Sequence, residues 1–165
     1  MKIVHTADWH VGKTIRGKHR DEEYRSVLNE LLEFLEKEQV DILIAAGDIF
    51  DSNTPSAESE EIVYNFFHKV SMLKIPSIII AGNHDSALRF EAISNLMAIA
   101  NITMKGFAND SDEKSKIEIT DKNGTKAEIL LVPFIPERAF VRAEDISENR
   151  DRSEERRVGK ECRSR

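Results

Sequence analysis

Apolar residues in the first hundred positions alternate between two patterns: short unbroken runs, and stripes spaced at three and four. Lys2–Thr6 reads as a short strand and is followed by a polar stretch from Ala7 to Arg20. From Asp21 to Gln39 the positions Tyr24, Val27, Leu28, Leu31, Leu32 and Leu35 form one face of an amphipathic helix. Asp21, Glu22 and Glu23 stand in its first turn, where negative charge meets the positive end of the helix dipole. Val40–Ala46, apolar throughout from Ile42, reads as a strand buried on both faces. Thr54-Pro55 predicts the next helix start, a capping hydroxyl followed by proline at the first helical position. Ile62, Val63, Phe66, Phe67, Val70 and Leu73 then carry the helical stripe. A third buried strand spans Ser77–Ala81, and a weaker helical pattern runs from Leu88 to Ala100.

Strands alternating with helices of this length imply right-handed β-α-β crossovers and a largely parallel sheet covered on both faces. After Asn101 the rhythm changes. Lys116–Thr120 and Lys126–Val132 flank Asn123-Gly124, which predicts an antiparallel hairpin after the α/β half.

Composition refines this picture. The 165 residues are 40% hydrophobic and 33% charged, which suits one globular domain with a single core. A net charge of −6 argues against a surface coated in basic groups. One cysteine, Cys162, excludes an internal disulfide and predicts a reducing, cytoplasmic setting. No apolar stretch nears the roughly 18 residues of a membrane span. Residues 151–165 hold six basic and four acidic residues, with Val158 and Cys162 the apolar ones. Such a segment buries too little to offset its ordering entropy, so it reads as a charged tail, disordered or foreign to the fold. The foldable part is residues 1–150, with 18 basic and 26 acidic residues and a net charge of −8.

Each buried strand ends in potential metal ligands. The first gives HTADWH with Asp8 and His10, the second AAGDIFD with Asp48, and the third AGNHD with Asn83, His84 and Asp85. Parallel strands share a carboxyl edge, where ligands bind, so three distant segments should meet there. Carboxylate, amide and imidazole together suit manganese, iron or zinc. One carboxylate such as Asp48 can bridge two ions that clamp a phosphate for in-line displacement. Gly47 and Gly82 let backbones approach and turn sharply. Singly, each motif also has an ordinary explanation, Asp48 as a turn residue, Asn83 and Asp85 as local caps, His84 as a core histidine. Jointly, in this order behind three strands, they point to one site. Beside the first motif, KTIRGKHR sets out Lys13, Arg16, Lys18 and Arg20, a loop that either contacts nucleic-acid phosphates, through Arg16 and Lys18 above all, or is simply solvated.

The set D-x-H, G-D-x-x-D and G-N-H-D resembles the calcineurin-like metallophosphoesterase superfamily over about residues 1–145, and the D-W-H and G-D-I-F-D wording resembles its nuclease branch. The resemblance implies a metallophosphoesterase sandwich, here truncated to the first half of the sheet with flanking helices and then a hairpin. It implies a metal-dependent DNA exonuclease and endonuclease that hydrolyses phosphodiesters at ends or hairpins. It further implies an SMC-like ATPase partner, a homodimer within a heterotetramer, no membrane, and roles in DNA repair, recombination and replication.

By the same resemblance, Asp8 and His10 bind one metal, Asp48 bridges, and Asn83 binds the second; manganese is the expected ion. His84 would face the phosphate, and Asp85 would orient its imidazole. Asp51 would support the site, and His5 would pack on the first strand. Phosphoprotein phosphatases differ, with Arg after the second motif and Glu after G-N-H where this chain has Ser52-Asn53 and Asp85. The superfamily also uses three later histidines, two of them in a G-H-x-H motif, whereas no histidine here follows His84. That implies an amino-terminal piece with loosely held metals and little activity of its own. The alternatives are a phosphoesterase of small molecules or nucleotides, and a non-catalytic interaction module.

Overall fold

The computed structural model describes residues 1–108 and 115–136; residues 151–165, expected to be a charged tail, lie outside them. The chain divides after Phe134 into two units, and the first, Met1–Phe134, holds all of the named elements. In chain order these are β1 (Ile3–Thr6), α1 (Asp21–Lys37), β2 (Ile42–Ala46), α2 (Ala57–Met72), β3 (Ser77–Ile80), α3 (Ala87–Ile99), β4 (Ile102–Lys105), β5 (Lys116–Thr120) and β6 (Lys126–Leu130).

Four parallel strands form a sheet in the order β1-β2-β3-β4, and β5 pairs antiparallel with β6. Each crossover steps one strand in the same direction, and right-handed crossings then place all three helices on one face. That face buries Leu43, Ala45, Ile79 and Met104 against Leu28 and Leu35 of α1, Phe66, Phe67 and Val70 of α2, and Phe90 of α3. The other face is covered by the hairpin instead: Ile42, Ile44, Ile78 and Ile80 pack with Ile117, Ile119, Ile129 and Leu131. The unbroken apolar runs of β2 and β3 follow from this, since side chains alternate between two covered faces. Together the layers make the α/β sandwich that the family resemblance implied, around the largely parallel sheet that the sequence pattern implied.

Several local expectations are corrected. A fourth parallel strand, Ile102–Lys105, pairs with β3 through Ile78↔Thr103 and Ile80↔Lys105. Its sequence alternates apolar and polar residues and lacks the unbroken apolar run that marks β2 and β3. Helix α2 starts at Ala57, not Pro55, because Ser56 has the extended conformation and its Oγ accepts from Ser59 N at 3.1 Å. Val27 is 62% exposed although it falls within the helical stripe. His5 is exposed on β1 rather than packed. The hairpin loop is wider than a two-residue turn. Asp121 N donates to Thr125 O, Gly124 N to Asp121 O, and Gly124 alone has φ +83°. Asp121 Oδ1 caps this loop by accepting from Asn123 N and Thr125 N.

Candidate metal centre

The carboxyl ends of β1, β2 and β3 lie side by side, and their loops continue the pairing of the strands. Asp8 N donates to Gly47 O at 3.1 Å, His10 N to Asp48 O at 2.9 Å, and Val11 N to Ile49 O at 3.0 Å. This second stretch of ladder brings Asp8, His10 and Asp48 together. Its backbone is costly: Asp8, His10 and Asp48 all adopt left-handed φ values of 56°, 50° and 49°. Non-glycine residues held there cost on the order of 1–3 kcal/mol each and cluster at functional sites.

Trp9 anchors the first loop from the opposite side. Its indole lies 5.5 Å from Phe67 in a stacked arrangement and meets Phe66 edge-on, while Nε1 donates to Thr6 Oγ1. Tyr24 of α1 donates its hydroxyl to His10 O at 2.7 Å. Sequence periodicity marked Tyr24 only as core; its polar tip was the available sign that it would also seek a partner.

Asp48 stands at the centre. Its Oδ1 accepts from His84 N at 2.9 Å, and its Oδ2 lies 3.8 Å from His10 Nε2. Ligand atoms of His10, Asp48 and His84 lie within 4.8 Å of one another, and the two imidazoles meet edge to face at 4.8 Å. On the other side, Asp8, Asp48, Gly82 and Asn83 line one open cleft, which Val132 and Phe134 also border. The structure thus gathers Asp8, His10, Asp48, Asn83 and His84, with Asp48 common to both groups.

His84 is held in a way the sequence did not indicate. Its Nδ1 is 2.8 Å from the main-chain oxygen of Asp51. A carbonyl only accepts, so Nδ1 carries the proton and Nε2 is left for a ligand. This bond, followed by the nearby charges of Asp48 and Asp51, raises the His84 pKa against a smaller lowering by desolvation and by Lys13. Asp51 also places Oδ1 3.4 Å from His10 Nδ1 and 4.0 Å from Lys13 Nζ.

No hydrogen bond joins Asp85 to the His84 imidazole among the described residues. Its buried carboxylate accepts from Gly82 N at 2.8 Å, Phe50 N at 2.9 Å and Ile49 N at 3.2 Å. Burial pushes its pKa up, and the three N–H groups pull it down in part.

The donors fit divalent cations. His10 Nδ1 is buried without an aligned hydrogen bond, and the 3.8 Å between His10 Nε2 and Asp48 Oδ2 is too long for one. Two ligands each about 2.0–2.2 Å from a shared ion span such a gap naturally. The basic loop is a separate feature: Ile15 and Lys18 exchange both backbone hydrogen bonds across Arg16 (φ 51°) and Gly17 (φ 75°). Positive φ at both central residues makes this a type I′ turn, which presents Arg16 and Lys18 to solvent. No hydrogen bond or ion pair joins either side chain to the cluster among the described residues.

A parallel sheet with carboxylate, imidazole and amide donors at its carboxyl edge suits a metallophosphoesterase. Residues 1–156 match the family described as Calcineurin-like phosphoesterase, and the chain belongs to that family. Within it, the chain is 34% identical over 145 residues to the D subunit of the nuclease SbcCD from Rhodobacter capsulatus, covering 82% of this chain and 35% of that protein. It is 42% identical over 108 residues to the Bacillus subtilis counterpart, covering 65% and 28%, and 30% identical over 142 residues to that of Escherichia coli K12, covering 86% and 34%. The chain therefore spans about a third of the length of these curated relatives. Among the described residues no helix is long and apolar enough to cross a membrane.

Proposed function

We propose that the chain is the metal-holding part of a DNA nuclease subunit that hydrolyses phosphodiesters at ends and hairpins, as exonuclease and endonuclease. The observation that carries this reading is the meeting of Asp8, His10, Asp48, Asn83 and His84 at one sheet edge, with Asp48 between the two groups. Asp8 and His10 hold one divalent ion, Asn83 the other, and Asp48 both; manganese is the ion proposed. When bound, these ions supply positive charge that polarises the phosphate and activates water.

The residues of the chain do the rest. His84, with Nδ1–H fixed on Asp51 O, turns Nε2 outward. A raised pKa favours the protonated ring, which can stabilise charge on a phosphate oxygen or give its Nε2 proton to the leaving oxygen. Asp8, Asp48 and Asn83 line an open cleft where the scissile phosphate would sit. Arg16 and Lys18 contact phosphates beyond the scissile bond.

The biological setting proposed is cytoplasmic DNA repair, recombination and replication, with an SbcC-type SMC-like ATPase as partner. A homodimer within a heterotetramer is supported by exposed apolar residues on neighbouring helices: Met72 of α2 and Leu88, Leu96 and Ile99 of α3 are all at least 67% exposed. Four protein donors for two ions are few, so these 165 residues alone bind metal weakly and turn over slowly. The test is manganese-dependent cleavage of DNA ends and hairpins by the family-length protein and by its Asp48→Asn and His84→Ala variants. Full activity in either variant would overturn the site. Brisk turnover by the 165 residues, lost on His84→Ala, would overturn their proposed inactivity.

A further inference from the structure

We propose that Asp85 is a positioning residue whose carboxylate latches the second and third strand-end loops together, setting Asp48 and Asn83 in place before any metal arrives. The proposal rests on the metal reading above for its purpose, but its geometry stands on the chain alone.

The latch is built from one side chain and three backbone N–H groups. Asp85 Oδ1 accepts from Phe50 N, and Oδ2 from both Ile49 N and Gly82 N. Ile49 and Phe50 directly follow Asp48, so two consecutive amides of the β2 loop converge on one carboxylate, a small anion-binding nest. Gly82 directly precedes Asn83, so the third bond fixes the approach to the other ligand. The same turn closes in the reverse direction, because His84 N donates to Asp48 Oδ1. Asp48 and Asp85 thus exchange support: each carboxylate binds amides beside the other.

This arrangement answers two costs at the site. Asp48 is held at φ 49° after Gly47 at φ 86°, a backbone that needs outside restraint. Its two following N–H groups face a buried carboxylate in place of water, and Asp85, 8% exposed, would be isolated without them. Gly82 is part of the fit, since a Cβ there would fall well inside 3.0 Å of the Asp48 backbone nitrogen and carboxylate. Asparagine at 85 could keep one acceptor oxygen, but its amino group would face an N–H and break the arrangement.

Amide hydrogen exchange of the metal-free chain is the first measurement. In the wild type, the amides of Ile49, Phe50 and Gly82 should exchange slowly although all three lie outside strands; rapid exchange in a folded wild type would overturn the latch, whatever a variant does. Asp85→Asn should free these amides and weaken Mn2+ binding, followed by electron paramagnetic resonance, roughly 10–100-fold, the range seen when supports of metal ligands are removed. Asp85→Glu, which restores a carboxylate, should recover part of both. Val70→Ala, a core truncation in α2, should lower the melting temperature and leave Mn2+ affinity unchanged. Equal affinity of wild type and Asp85→Asn, or equal loss in Val70→Ala, would reject a positioning role. A wild type that binds no Mn2+ would sink the metal reading instead, leaving the exchange result to decide the latch.

Discussion

The imidazole of His84 is tethered by Nδ1 to the main-chain oxygen of Asp51 at 2.8 Å, across the gap between two strand-end loops. The histidine is thereby held by the backbone of a loop some thirty residues earlier in the chain, and its reactive edge is set by the tertiary fold.

This tether makes a pH prediction. The His84 pKa is raised above 6.5, first by the bond to Asp51 O. A raised folded-state value means that protonation favours the native state. The contribution is complete below the unfolded value and disappears as pH rises through the folded one. An NMR titration of the metal-free chain should show His84 above 6.5. Divalent cations beside Asp48 should move it downward, and an unchanged value at saturating Mn2+ would argue against metal at that position.

Gly82 should tolerate no side chain. Gly82→Ala forces a Cβ against the backbone nitrogen of Asp48, an atom that cannot swing aside. A loss of about 1–3 kcal/mol is expected from such overpacking, together with weaker Mn2+ binding. Calorimetry and a metal titration on one sample would check both; wild-type values in each would contradict the close approach.

Phe67 links the core to the first ligand loop. It is fully buried and stacks on Trp9, the residue between Asp8 and His10. Phe67→Ala should cost about 3–5 kcal/mol in urea unfolding. It should also shift Trp9 fluorescence toward the red as the indole loosens, whereas an unchanged emission would show that the loop does not lean on this ring.

Arg16 and Lys18 lie at the exposed tip of a type I′ turn. Reversing both charges in the family-length protein should weaken DNA binding uniformly across sequences. It should also lower the slope of log affinity against log salt by roughly 0.7–0.9 for each phosphate no longer neutralised. An unaltered slope would mark the turn as a solvated loop.

Ile99 is 84% exposed near the end of α3. Ile99→Asp should leave the melting temperature nearly unchanged and, if the proposed dimer uses this face, shift the family-length protein toward monomer in light scattering. A stable dimer in that variant would place the interface elsewhere.

Much of this was legible before any coordinates. The runs Val40–Ala46 and Ser77–Ala81 announced the buried strands found at Ile42–Ala46 and Ser77–Ile80, because both of their faces are covered, and the stripes of α1 and α2 announced helices. The D-x-H, G-D and G-N-H-D groups could be assigned to a common edge because parallel strands end on the same side. Strand β4 stayed hidden: Ile102 and Met104 alternate with Thr103 and Lys105, without the unbroken apolar run that marks β2 and β3. The start of α2 was misplaced because Thr54-Pro55 and Ser56 both satisfy capping rules, and only the backbone angle at Ser56 chooses between them.

The sequence by itself determined which side chains could do chemistry, in what order they follow the strands, and the α/β class that brings them to one edge. What only the tertiary structure decided is how they are held. The family resemblance suggested that Asp85 steadies its neighbour His84. Instead Asp85 turns inward to three amides, and His84 reaches out to Asp51. Adjacent residues on a tight turn point in different directions, and a buried carboxylate takes whichever donors the fold leaves unpaired beside it. Two of those donors, the amides of Ile49 and Phe50, belong to a loop far back in the chain, so no local pattern could reveal them.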